Sequence, residues 1–393
     1  MKVKKRHTVW NKLVRSVLTP VLKKKFNIKL EKSNIRAPFL VLGNHTTDYD
    51  AFFIAKSFKD HIYFVMSDHI SSIPVAGKLI NHLVSPIPIT KSTVDASTAR
   101  RIMQITKAGG AVGIFPEGNK SFSGDMSHMK PSIAKLVKKL GVPLVIYNIE
   151  GGYFSSPRWS KEKRLGEVRG KIKKILQPED YQNLTNDELF EIIKTNLHVN
   201  AYDIQSAEGR EYVGKNLAEN IESFMYVCPE CKSMSSLVGE CNMVKCKVCD
   251  YHAEFTPYGY LDGGPFMRLD KYDKWLKEHI DSLDFSDTSE CDIITSDENF
   301  EVFVKQNNFK NKSLGMFDLA LYTTRLEFVS KDKKSESFTL PLDMIDGYGI
   351  EGMNGLQFSV KDGRVFRTKN KQPVSALKYT NLISKLAGLE MKF

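Results

Sequence analysis

The first 227 residues contain no cysteine, and five of the 6 in the whole chain fall between Cys228 and Cys249. A secreted disulfide framework spreads its cysteines, so this clustering points to a metal site in a reducing compartment. Long hydrophobic runs are missing as well. The longest charge-free stretch, residues 79–90, is about a dozen residues against the roughly 20 that a spanning helix needs. The lysine-rich start lacks the apolar core and small-residue cleavage site of a signal peptide. Acidic residues are scarce at that end alone: residues 1–36 hold 12 Lys/Arg against 1 Asp/Glu, which accounts for the entire formal net charge of +11. Charge so confined implies a local anionic partner and argues against nucleic acid as a ligand. With 393 residues, 41% hydrophobic and 26% charged, the chain can fill two or three folded domains and is not disordered.

The basic end has a pattern. Wound as a helix of about 3.6 residues per turn, residues 8–23 place Val9, Trp10, Leu13, Val14, Val17, Leu18, Val21 and Leu22 on one side. Asn11, Lys12, Arg15, Ser16, Thr19 and Lys23 fall on the other, and Pro20 kinks or ends the helix. Lysine and arginine clusters at residues 2–6 and 23–25 flank it, each charge adding roughly 1 kcal/mol at an anionic lipid surface. Such a helix either lies in a lipid interface or packs on its own domain with a solvated basic face; the pattern leaves both open.

Further along, Ala37-Pro-Phe-Leu-Val-Leu-Gly43 reads as a buried strand that delivers Asn44, His45 and, five positions after the histidine, Asp50 at the start of an apolar helix. A neutral imidazole can take a proton from a hydroxyl if a carboxylate holds its other nitrogen. Asp48 competes for that place, and a helix-capping Asp50 is the plain alternative. A helix ending at Gly109-Gly110 leads into a second strand, Ala111-Val-Gly-Ile-Phe115, and then Pro116-Glu117-Gly118-Asn119-Lys120. Pro131 opens another helix, Gly141 ends it, and Val142-Pro-Leu-Val-Ile-Tyr-Asn148 is a third strand. Strands alternating with helices, with the polar residues at strand ends, predict an α/β layer.

Asn-His-x4-Asp (Asn44, His45, Asp50) and Phe-Pro-Glu-Gly (Phe115–Gly118), in this order and about 70 residues apart, resemble the glycerolipid acyltransferase family typified by lysophosphatidic acid acyltransferase. Val142-Pro143-Leu144 is similar to the family's fourth block, and Pro86-Ile-Pro-Ile-Thr-Lys91 stands in place of its second. The resemblance covers roughly residues 35–210. It implies a mixed sheet flanked by helices, with His45 as general base and Asp50 as its orienting carboxylate. Asn44, Lys91, Glu117, Gly118 and Lys120 would bind the acceptor. The reaction implied moves an acyl group from acyl-CoA or acyl-carrier protein to the free hydroxyl of a lysophospholipid, lysophosphatidic acid first. Lys91 and Lys120 stand where the family usually has arginine; a lysine grips phosphate as a point charge instead of bidentately. This keeps other acceptors open, glycerol 3-phosphate among them. A third reading is an inactive scaffold, against which the intact His45, Asp50 and Glu117 stand.

Cys228-Pro-Glu-Cys231 and Cys246-Lys-Val-Cys249 form two Cys-x2-Cys knuckles that can set four thiolates around a structural Zn²⁺, with Cys241 the one rival ligand. Residues 267–283 are spaced as a helix, residues 284–290 as a polar link, and from residue 291 the chain is β-rich, with strands at 300–305, 315–322, 325–330, 337–341, 356–360 and 364–368 and a closing helix at 372–386. That tail resembles a pleckstrin-homology-like domain by topology alone. The expected organisation is a basic membrane-surface segment at 1–34, an acyltransferase domain at 35–215, a zinc ribbon at 222–262, a helix and linker at 263–289 and the β-rich domain at 290–393. The protein is expected in the cytoplasm, peripheral on the inner face of a membrane.

Overall fold

In the computed structural model the described residues are 16, 19–20, 22–67, 82, 84–89, 96–126, 128–306, 311–332 and 335–388. Lys91 and most of residues 8–23 lie outside them.

The first half is a seven-stranded sheet. Its elements are β1 (Asn27–Leu30), β2 (Leu40–Gly43), α1 (Asp50–Ser57), β3 (Ile62–Ser67), β4 (Ile87–Ile89), α2 (Ala96–Lys107), β5 (Ala111–Ile114), α3 (Ser132–Leu140), β6 (Leu144–Glu150), α4 (Gly152–Ser155) and β7 (Glu167–Leu176). Three helices follow: α5 (Pro178–Tyr181), α6 (Asn186–Leu197) and α7 (Ala201–Glu208). The strand order is β1-β7-β6-β2-β5-β3-β4. β6, β2, β5, β3 and β4 run parallel, β7 is antiparallel to β6, and β1 is parallel to β7 at the edge. Parallel strands covered on both faces read as unbroken apolar runs, which is why Leu40-Val-Leu-Gly43 shows no polar residue. Leu40, Leu42, Val112 and Ile146 face one core with Ile102, Ala134 and Ile193 from α2, α3 and α6. Val41, Val145 and Tyr147 face a second core with Phe53 and Ile54 of α1.

The sheet reaches back into the basic end. β1 comes from within residues 1–34, and Phe26 just before it is fully buried, its ring 5.2 Å from Tyr49 and 5.8 Å from Phe53. Apolar contact with α1 thus ties this stretch to the α/β unit.

The second half begins with a four-stranded antiparallel sheet of β8 (Leu237–Glu240), β9 (Met243–Cys246), β10 (His252–Phe255) and β11 (Leu261–Asp262), followed by α8 (Leu269–Ser282). Then come β12 (Thr295–Lys305), β13 (Asn311–Leu321), β14 (Arg325–Ser330), β15 (Phe338–Pro341), β16 (Ile345–Glu351), β17 (Gly355–Val360), β18 (Val365–Asn370) and α9 (Ala376–Ala387). They make an antiparallel sheet in the order β15-β14-β13-β12-β18-β17-β16. β16 has no counterpart among the strands expected from the sequence, because Asp346, Gly347 and Gly349 break its apolar run; pairing with β17 and burial of Tyr348 and Ile350 hold it. One continuous core joins this half, running from Tyr153 and Trp159 through Phe224, Phe255 and Leu276 to Tyr379 and Ile383. Among the described residues no helix is long and apolar enough to cross a membrane.

Candidate active site

β2 and β5 are adjacent and parallel, with Leu42 opposite Ile114, so the two motif loops leave the same end of the sheet side by side. Gly43 closes β2 where the chain must pass between α1 and Phe115: a Cβ there would lie 2.6 Å from Ile54. Asn44 is buried, and both ends of its amide are engaged by β6, Nδ2 donating to the Ile149 carbonyl at 2.9 Å and Oδ1 accepting from the Ile149 N–H at 2.7 Å. The side chain expected to meet the acceptor therefore fixes where the loop departs.

His45 follows. Its Nδ1 lies 2.8 Å from Asp50 Oδ2, and Asp50, the first residue of α1, has no exposure while the His45 side chain keeps 23%. Four more donors converge on the same carboxylate: the Thr46 and Thr47 amides at 2.6 and 2.8 Å on Oδ2, and their hydroxyls at 3.2 and 2.8 Å on Oδ1. The loop folds around Asp50 as its hub. With the carboxylate accepting from Nδ1–H, Nε2 becomes the proton-accepting nitrogen. The imidazole also stacks on Phe115, ring centroids 4.4 Å apart, and Phe115 on Phe64 at 5.8 Å.

The second loop braces the first. Glu117 is 1% exposed and its Oε1 accepts the His45 N–H at 2.8 Å, while the Ser121 N–H donates to the His45 carbonyl at 3.0 Å. Glu117 is thus placed as a support beneath the histidine. Gly118, at φ +68°, makes the turn that this requires, its N–H donating to the Phe115 carbonyl. Lys120 Nζ donates to Asp48 Oδ1 at 2.7 Å. Asp48, the sequence rival for His45, is turned outward to this lysine, and the histidine belongs to Asp50. The protein packed around it pushes the Asp48 carboxyl up even though its tip is exposed, but the charge and hydrogen bond of Lys120, with the charges of Lys163 and His45, together leave the group below the usual carboxylate range.

Sequence reasoning missed Lys163, which comes from the stretch between α4 and β7. Its ammonium donates to Ser156 Oγ at 2.7 Å. Burial, together with the like charges of Lys120 and Lys25, pulls its pKa down against the opposing pull of Asp48. Lys120, Lys163 and His45 thus all act on the one exposed carboxylate of Asp48, and Lys25 reaches this group only through Lys163. The basic composition of residues 158–164 was the available signal, yet no periodicity picks Lys163 out of it.

A family model described as Acyltransferase matches residues 26–149, the span that holds every one of these loops except the Lys163 stretch. The chain carries an acyltransferase-family domain. Among solved structures, the chain is similar to the 1-acyl-sn-glycerophosphate (LPA) acyltransferase PlsC from Thermotoga maritima, with 20% identity, coverage of 52% of this chain and 80% of that one, and a TM-score of 0.41. It also matches a chain of the 8S snRNP assembly intermediate at 12% identity (26% and 87% coverage, TM-score 0.22). A third match is the C-terminal domain of an unknown protein from Leishmania infantum, at 15% identity (30% and 98% coverage, TM-score 0.19). No curated protein matches the chain.

Away from the acyltransferase loops, the Sγ atoms of Cys228, Cys231, Cys246 and Cys249 lie within 4.8 Å of one another, close enough to hold a metal ion. Cys241, on the turn between β8 and β9, is exposed and outside this group.

Proposed function

We propose that the chain transfers a fatty acyl group from a thioester, acyl-CoA or acyl-carrier protein, to the free hydroxyl of a lysophospholipid, with lysophosphatidic acid as acceptor and phosphatidic acid as product. The observation that carries this reading is the buried Asp50 carboxylate behind a partly exposed His45, in a domain of the acyltransferase family. His45 Nε2 takes the acceptor's hydroxyl proton as the oxygen attacks the thioester carbonyl. The C–S bond then breaks, and the departing thiolate receives the proton from the imidazolium. A thioester is already activated, so placement of hydroxyl, base and carbonyl in a dry site is the main task left to the protein. Asn44, Glu117 and Gly118 serve by positioning the two loops, and Lys120 with Lys163 supplies positive charge for an acceptor phosphate, Asp48 being the group that phosphate displaces. Lys91 joins the same acceptor set through the resemblance alone, standing where the family's second block would fall.

Charge in the basic N-terminal residues supports a peripheral position on an anionic membrane surface, on its cytoplasmic side. Zn²⁺ suits the four cysteines: tetrahedral Zn–S bonds of about 2.3 Å set sulfurs about 3.8 Å apart, and Cys228–Cys249 and Cys231–Cys246 stand at 3.7 and 3.8 Å. Four thiolates leave no open position, so the ion would hold the fold. The strand order β15-β14-β13-β12-β18-β17-β16 with a closing helix supports the pleckstrin-homology-like reading of the tail.

The test is thioester release against lysolipids with and without a phosphate. Lys120→Ala and Lys163→Ala should each raise KM about tenfold for phosphate-bearing acceptors, and leave the others within twofold. Equal turnover of both acceptor classes by the wild type would remove the phosphate preference, and faster turnover of the phosphate-free class would replace lysophosphatidic acid as acceptor; no release with any acceptor would remove the enzymatic reading.

A further inference from the structure

Two guanidinium groups are buried in the stretch between α4 and β7, and among the described residues neither forms an ion pair. Arg164, 1% exposed, donates to the Leu217 carbonyl and lies over Trp159 and over Phe255 of β10. Arg158, 4% exposed, does something different. Its Nη1 donates to the Lys120 carbonyl at 3.0 Å, its Nε to the Gly352 carbonyl at 2.9 Å and its Nη2 to the Ile350 carbonyl at 3.3 Å, while its carbon centre sits 4.1 Å from the Phe122 ring centroid. One planar fork therefore spans two regions: the loop after Glu117 and the hairpin between β16 and β17.

A buried cation without a counter-charge is unfavourable, and burial pushes the Arg158 guanidinium down to about 9 although Asp48 pulls the other way. An apolar side chain would fill the space at no such penalty. What only a rigid fork of donors can do here is hold carbonyls of two segments at fixed spacing. On the loop side the effect is immediate. The residue whose carbonyl Arg158 holds is Lys120, whose ammonium meets Asp48, and the next residue, Ser121, donates its N–H to His45.

We propose that Arg158 is a positioning residue through which the β16–β17 hairpin of the C-terminal sheet sets the place of residues 117–122, and with them His45 and Lys120. The second half of the chain is then part of the active-site scaffold. The consequence for catalysis rests on the acyl-transfer reading; the mechanical link does not.

The experiment uses the full-length chain with Arg158→Lys, which keeps the charge and loses the fork, and Arg158→Ala. Amide hydrogen exchange is read without substrate, and steady-state kinetics with acyl-CoA and lysophosphatidic acid. For Arg158→Lys, exchange over residues 118–124 should rise about tenfold while β12 and β13 stay protected. The acceptor kcat/KM should drop on the order of 10²-fold with donor affinity unchanged. Arg158→Ala should move both readouts further, and added guanidinium should recover part of the loss. Unchanged exchange at residues 118–124 in Arg158→Lys would overturn the proposal. So would a loss of protection spread evenly over the chain, which would make Arg158 a packing group only. Exchange needs no turnover, so a wild type inactive on every acceptor would sink the enzymatic reading and leave this link intact.

Discussion

The two halves of the molecule are built on opposite plans. The first places its polar residues at the ends of parallel strands and splits its core between the two faces of one sheet. The second is antiparallel throughout and keeps one core from Tyr153 to Ile383. The boundary between these plans falls inside the first half: Tyr153, Phe154 and Trp159 follow β6, yet they share one core with the four-stranded sheet and the C-terminal sheet. Chemistry and packing thus divide the chain at different places. The loops that hold His45 and Asp50 belong to the first core, and the stretch that brings Lys163 and Arg158 to them belongs to the second.

The strongest way to sharpen this contrast is to remove chemistry and leave packing alone. His45→Ala takes away a partly exposed ring and should lower acyl transfer about 10²–10⁴-fold, with the melting temperature nearly unchanged. Near-normal turnover would deny the base assignment. Removing packing while leaving the His45 loop untouched is the converse. Cys228→Ser, or stripping of bound metal, should unfold the second core and, through the Tyr153–Arg164 stretch, reduce acyl transfer at least tenfold. Full activity in a metal-free protein would separate the halves. The smallest effect concerns Lys378 of α9, 1% exposed, whose ammonium sits 2.8 Å from both Asp297 Oδ2 and Ser235 Oγ. Asp297→Asn should cost about 3 kcal/mol of stability by stranding a buried cation, whereas Lys378→Met, which leaves the more exposed carboxylate unpaired, should cost less. Burial holds the Lys378 pKa down against the pull of Asp297. The unfolded chain then binds the proton more readily, so stability should rise as pH climbs from the depressed folded value toward about 10.4. Denaturant melts across that interval should show the rise in wild type and its loss in Lys378→Met.

Legibility in the sequence followed the same divide. His45, Asp50 and Glu117 stood out because two motifs in order resemble a known family, spacing alone leaving a helix-capping Asp50 as the plainer reading, and Cys228, Cys231, Cys246 and Cys249 because knuckle spacing marks them. The roles of Asn44 and Glu117 did not, since nothing in a motif tells a side chain that faces substrate from one that braces a loop; only their bonds to Ile149 and to the His45 amide decide it. β1 was hidden among lysines, and β16 among glycines, because pairing with a distant strand supplies what local propensity lacks. Arg158 was invisible for the plainest reason, that its acceptors at Ile350 and Gly352 lie 192 and 194 residues away.

That separation also bears on how the chain matures. Synthesis proceeds at roughly 5–20 residues per second, so once Arg158 has left the ribosome, Gly352 takes about 10–40 s to be made. Through that interval Tyr153, Phe154 and Trp159 have no finished core to enter. The bond from Arg158 to Gly352 that joins the two halves is thus made only near the end of translation.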